Sequence, residues 1–129
     1  MGKDKKHCTM LCILMLPLLL CWANKHVHAA YFSGEYLHKV CSIDKNGNEI
    51  IKGGKIACQS YISGVIDYYN MLRSMDIAPE MAFCIPEGES LNELQLKVLM
   101  YLSEKNKLHR KFVASPAVTM ALYSFYPCK

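Results

Sequence analysis

Four cysteines and two histidines are the residues of this chain best equipped for chemistry. Cys41, Cys58, Cys84 and Cys128 share the stretch from residue 30 onward with His38 and His109. A cysteine with a histidine suggests a thiolate nucleophile, which needs a free thiol, an adjacent base and a third group orienting that base. Neither histidine stands in such a context, and an even number of cysteines in an oxidising compartment reads as disulfides. Structural zinc fits no better. The cysteines are singletons 17, 26 and 44 residues apart, without the paired C-x₂₋₄-C spacing that such sites use. Gly53-Gly54 and Glu87-Gly88-Glu89 form no phosphate loop. Asp67 and Asp76 have no partner carboxylate placed by the pattern. The residue types therefore predict a protein that is not an enzyme, with no catalytic residue, no metal and no cofactor.

The oxidising compartment is itself read from the N-terminus. Lys3, Lys5 and Lys6 precede an apolar run from Cys8 to Ala23, and Val27-His28-Ala29 offers small or apolar side chains where a signal peptidase reads. Residues 1–29 are expected to be a secretory signal, cleaved near Ala29, and residues 30–129 the exported domain. The apolar run is short of the roughly 20 residues that span a bilayer and contains Pro17, so no stable membrane anchor is expected after cleavage. The full chain carries 15 basic and 11 acidic residues, but four lysines and one aspartate lie in the signal, leaving 11 against 10. That near-neutral balance implies no nucleic-acid partner.

Such a domain needs elements that hold its cysteines in place, and the sequence reads as all-α. Lys55 to Leu72 is the strongest pattern: Cys58, Tyr61, Ile62, Val65, Ile66, Tyr69 and Leu72 recur at spacings of three and four, predicting the central amphipathic helix. Gly64 in its interior weakens it, and close approach of another backbone is the expected reason. Ser33 caps a short helix from Gly34 to about Cys41, with Tyr36, Leu37, Val40 and Cys41 on one side. Asn46-Gly47 between Ile43 and Ile50-Ile51 makes residues 43–51 a candidate short hairpin. Ser90-Leu91-Asn92-Glu93 fits a capping box for a helix from Leu91 to about Glu104, burying Leu91, Leu94, Val98, Tyr101 and Leu102. Ser115-Pro116 predicts the start of the last helix, which runs to Tyr126 before Pro127 and buries some of Val118, Ala121, Leu122 and Phe125. The fold class is a small four- to five-helix bundle stapled by disulfides.

Helices joined by short loops run antiparallel. The exit of the first helix then faces the entry of the second, and the entry of the third faces the exit of the last. Of the three connectivities open to four cysteines, this favours Cys41–Cys58 with Cys84–Cys128. On the chain-entropy account the two closures contribute about 3 and about 4 kcal/mol.

GEYLHKVC (Gly34 to Cys41), ACQSYISGVID (Ala57 to Asp67), FCIPEG (Phe83 to Gly88), Leu94-Gln95, Tyr101-Leu102 and the ending AL-xxx-YPC (Ala121 to Cys128) together resemble the Tai/Rap family of immunity proteins. The resemblance covers nearly all of the chain beyond the signal. It implies a periplasmic, helical, homodimeric protein that binds and occludes a peptidoglycan amidase delivered by type VI secretion, protecting the producer from self or sibling intoxication. The matched positions are mainly scaffold, so the partner surface must be sought physically. An inhibitor should present exposed residues on a rigid frame, so that little ordering entropy is lost on binding. The basic segment between the third and last helices, with Lys105, Lys107, His109, Arg110 and Lys111, is the candidate partner-binding site. A solvated connector is the competing reading of that segment. A periplasmic chaperone or holdase is the competing function.

Overall fold

The computed structural model describes residues 32–77 and 80–128; the expected signal and its cleavage site lie outside the described residues. Five helices follow in order: α1 (Gly34–Cys41), α2 (Gly54–Ser74), α3 (Leu91–Glu104), the single turn α4 (Asn106–His109) and α5 (Ala114–Phe125). None of the helices among the described residues is long and apolar enough to cross a membrane. Packing of α1 against α2 and α3, of α2 against α3, and of α3 against α5 encloses one core. Leu37, Ile62, Val98, Leu102, Val118 and Leu122 are its largest fully buried aliphatic side chains.

Local sequence explains most of the boundaries. The Ser33 side chain accepts from the Tyr36 amide and starts α1. Ser90 and Glu93 cap α3 reciprocally, as their spacing requires. The start of α2 is different, because its N-cap Gly53 has no side chain to offer. The carboxylate of Glu49 takes that role from a distance, accepting from the amides of Gly53 at 2.8 Å and Lys55 at 3.0 Å. Glutamate pairing with free amide donors at a helix N-terminus is favourable twice over, through hydrogen bonding and through the helix dipole.

The region 43–51 forms no strand. It is a turn closed by one antiparallel bridge between Ile43 and Glu49, held by Asp44 Oδ1, which accepts from the Asn46 and Asn48 amides at 2.8 Å each. α5 begins one residue before the expected Ser115 cap, at Ala114, and its N-cap Val113 makes no side-chain cap bond. Tertiary pairing sets this boundary: Ser33 and Val113 form a bridge, and the Ala114 amide donates to the Phe32 carbonyl at 2.8 Å. Pro116 thereby becomes the third helical residue, where an absent N–H still removes none of the intrahelical bonds.

Both cysteine pairs lie at bonding distance: Cys41 with Cys58 at 2.00 Å and Cys84 with Cys128 at 2.06 Å. The first pair is fully buried within the core. The second fastens a short backbone pairing, in which Cys84 donates to the Tyr126 carbonyl and Cys128 to the Ala82 carbonyl. Phe83, between them, stacks on Tyr69 with ring centroids 3.9 Å apart, and its amide donates to the Tyr69 hydroxyl. The C-terminus is thus tied to α2 as well as to its own neighbour.

Three side chains expected inside lie outside: Tyr36 is 52 % exposed, Leu91 43 % and Phe125 38 %. Each sits near a helix end, where the partner helix no longer covers it. Gln95, polar and 3 % exposed, takes an interior place instead. Its amide donates to the Cys41 carbonyl at 2.9 Å and its oxygen accepts from Gln59 at 3.0 Å, satisfying a carbonyl left free at the end of α1.

Candidate partner-binding surface

The basic segment after α3 is a built corner rather than an open loop. Its centre is the one-turn helix α4, and it docks on α1 at Gly34, where a Cβ would overlap the His109 carbonyl. Gly34 and Glu35 also donate to the Phe112 and Arg110 carbonyls, at 2.9 and 3.4 Å. The five basic residues of this segment consequently do different things. Lys105 caps α3 and pairs with Glu104 at 2.8 Å. Arg110 pairs with Glu35 at 3.0 Å, and that guanidinium holds the Glu35 carboxyl below the usual carboxylate range. His109 turns its ring toward Tyr101, with centroids 5.6 Å apart, and its Nε2 meets no hydrogen-bond partner among the described residues. Lys107 and Lys111 are exposed and form no ion pair among the described residues. Leu108 (62 % exposed) and Phe112 (70 %) alternate with them. The corner therefore offers two unpaired cations interleaved with two exposed apolar side chains.

A second surface lies along α2. The backbone neighbour that an interior glycine suggests is not found at Gly64: a Cβ built there meets nothing within 4 Å. The space over Gly64 opens on one side into an apolar groove of about 630 Å³, floored by Val65, Tyr69 and Leu72 and walled by Tyr68, Met81 and Pro116. On its other side is a smaller depression of about 370 Å³ toward Ile56, Asp67 and Leu91. Tyr68, Met71, Met75 and Met81 are at least 40 % exposed along this side of the molecule. The sequence pattern missed the groove, because its far wall comes from Ser115, Pro116 and Thr119 of α5, some fifty residues away. A signal for it was nevertheless present: between Lys55 and Arg73 the only charged residue is Asp67.

A third cluster joins Glu89, Lys97 and Tyr126. The Lys97 ammonium lies 3.1 Å from Glu89 Oε1 and 2.7 Å from the Tyr126 hydroxyl, and the hydroxyl donates to the same carboxylate. The hydroxyl and the ammonium hold Glu89 below its ordinary value, while burial pushes the Tyr126 phenol up. Short, mutually satisfied and beside the Cys84–Cys128 bond, this cluster fastens the C-terminus to α3. All four described cysteines are disulfide-bonded, so among the described residues no thiol remains to act as a nucleophile.

What these surfaces can do is bind. Two exposed faces, one basic and one apolar, stand on a cross-linked helical frame. A family model describing Rap1a immunity proteins matches residues 33–128. Neither the curated proteins nor the solved structures give a match.

Proposed function

Since the chain belongs to the Rap1a immunity proteins, we propose that it neutralises a peptidoglycan amidase delivered by type VI secretion, meeting it in the periplasm and occluding its cleft. On this reading residues 1–29 are a signal removed near Ala29, residues 30–129 are the exported immunity domain, and the working unit is a homodimer. The observation that carries it is the family match from Ser33 to Cys128, which spans every described helix and both cysteine pairs. A binding role, with no chemistry of its own, suits a frame whose cysteines are bonded to one another.

The toxin-gripping residues are placed on the α4 corner: Lys107 and Lys111 as its free charges, with Lys105, His109 and Arg110 fixing its shape. Long-range attraction from exposed cations speeds encounter and weakens with salt. The test is co-expression, one at a time, with the type VI peptidoglycan amidases of the source organism, exported to the periplasm. Protection from lysis by one of them and a stable one-to-one complex between protomers are the expected result; lysis by all of them at full expression of the exported protein overturns the proposal. Reversing charge at Lys107, Arg110 and Lys111 should weaken the complex and flatten its salt dependence. Unchanged affinity would acquit the corner while leaving the immunity reading standing. The apolar groove on α2 favours one competing reading, a holdase for unfolded clients. That reading requires suppression of aggregation of unrelated denatured proteins, which an immunity protein does not give.

A further inference from the structure

We infer that Cys84 is a reversible modification site for a small anionic thiol, which exchanges into the Cys84–Cys128 bond at Cys84 and leaves Cys128 as a free thiol. The inference concerns the frame rather than the toxin, and it stands or falls independently of the immunity reading.

The two disulfides differ in what surrounds them. Cys41 and Cys58 are fully buried, so a thiol in solution does not reach them while the chain is folded. Cys84 is exposed and Cys128 half-buried. Cys84 also lines a depression of about 240 Å³, set between Ile66, Asn70 and Arg73 of α2 and the chain at Phe83 and Ile85. Ile66, Asn70 and Arg73 follow at spacings of four and three, so one face of the helix makes that wall. Arg73 supplies its charge. The guanidinium is exposed and lies 6.0 Å from the centroid of the Tyr69 ring, which in turn stacks on Phe83, the neighbour of Cys84. No carboxylate among the described residues lines the depression, and Arg73 forms no ion pair among them. Thiol–disulfide exchange proceeds by attack of a thiolate. An uncompensated cation at the point of attack therefore concentrates the reacting species, and it favours a reagent with a second negative charge.

The exchange balances without an oxidant or a reductant. The incoming thiolate forms a bond to Cys84 Sγ, the Cys84–Cys128 bond breaks with its electron pair on Cys128 Sγ, and that sulfur takes a proton from water. One disulfide replaces another. Cys84 is the sulfur attacked because it is the one that lines the depression. The opened ends stay together: the Cys84 amide donates to the Tyr126 carbonyl at 2.8 Å and the Cys128 amide to the Ala82 carbonyl at 3.3 Å. Tyr126 is also held by Lys97 and Glu89, and Phe83 by the Tyr69 hydroxyl. An intramolecular thiol so positioned acts at high effective concentration, so Cys128 expels the adduct once free thiol is withdrawn. While the adduct lasts, the segment carrying Met81, a wall of the apolar groove, is tied to the exit of α5 without a covalent bond.

The experiment exposes the mature, disulfide-bonded protein to three small thiols at equal thiolate concentration and low salt: mercaptoethanesulfonate (anionic), mercaptoethanol (neutral) and cysteamine (cationic). Acid quenching, alkylation and mass mapping locate the products, and circular dichroism checks that the adduct is folded. The added thiol is expected on Cys84 and the alkyl label on Cys128. The anionic reagent should react about tenfold faster than the cationic one, with the neutral one between, as opposite unit charges close to a solvated guanidinium require, and salt should shrink the ratio. Arg73→Gln, an exposed substitution, should bring the ratio within about twofold of unity. Removing free thiol by gel filtration should restore the original bond. Adducts on Cys128 in place of Cys84, equal rates for the three reagents, a ratio unchanged in Arg73→Gln, or an adduct that outlasts the free thiol would each overturn the inference. Modification of Cys41 or Cys58 at a comparable rate would do so too.

Discussion

Replacing Gly64 by alanine should make this protein more stable. In a helix interior glycine is about 0.8–1.0 kcal/mol less favourable than alanine, because it gives up more backbone freedom on folding. Ordinarily tertiary contacts blur that figure. At Gly64 they cannot, since an added methyl meets nothing within 4 Å, so there is neither a clash to subtract nor a cavity to fill. The expected gain is therefore close to the full intrinsic difference, about 1 kcal/mol. For a domain near a hundred residues this raises the midpoint of thermal unfolding by about 4–8 °C. Urea unfolding followed by far-ultraviolet circular dichroism, with disulfides intact and protein dilute, measures it directly. Gly54→Ala is the internal control: its Cβ would lie 2.7 Å from the Val40 carbonyl, so the same exchange ten residues earlier must destabilise. If Gly64→Ala is neutral or destabilising in the dilute protein, the space above Gly64 is filled in solution, and no open approach to the α2 backbone exists at this point.

Gln95→Ala should cost about 2 kcal/mol in chemical unfolding, because the Cys41 carbonyl it serves is left unpaired inside the core; an effect under half that size would mean water takes its place. Under native conditions a small thiol reductant should open Cys84–Cys128 first, since Cys84 is exposed whereas Cys41 and Cys58 are fully buried. Differential alkylation and mass mapping read the order, and simultaneous labelling of all four cysteines would contradict it. Acid should destabilise in a defined window. Asp44 and Glu49, held low by backbone donors, and Glu35 and Glu89, held low by cationic or hydroxyl neighbours, all have folded values below their unfolded ones. Their contribution is complete above the unfolded values of 3.8 and 4.5 and is lost as pH falls through the folded values. Glu49→Gln should remove part of that slope in urea unfolding between pH 6 and pH about 2, and an unchanged slope would rule out its capping role at α2.

The sequence was most readable where local chemistry decides the structure. Ser33, the Ser90–Glu93 box and the spacing of Leu94, Val98 and Leu102 act within one or two turns, and each is found as the pattern requires. The cysteine pairing followed from antiparallel connection of neighbours, a rule about short loops rather than about particular residues. Failures gather where a distant segment takes over. α5 starts at Ala114 because Phe32 and Ser33 pair with its entry, overriding the strong local signal of Ser115-Pro116. The cap of α2 comes from Glu49, outside the helix and beyond any capping motif. At the basic corner, spacing alone could not sort Lys107 and Lys111 from Arg110, whose partner Glu35 lies 75 residues away. The groove was invisible for the same reason. Its two walls belong to helices that only the folded chain brings together.

The placement of the two staples bears on why such a frame suits inhibition. A small inhibitor must bind without spending its interaction energy on ordering itself, yet a domain of this size has little core with which to stay ordered. Disulfides answer this by lowering the entropy of the unfolded chain, leaving the folded surface unchanged. Here Cys41–Cys58 anchors the first turns of α2, and Cys84–Cys128 reaches its far half through the Phe83–Tyr69 stack. The longest helix, whose one charged residue between Lys55 and Arg73 is Asp67, is thus held near both ends by covalent closures. An interior glycine is tolerated at its centre because the stability it forgoes is small beside what either covalent closure supplies.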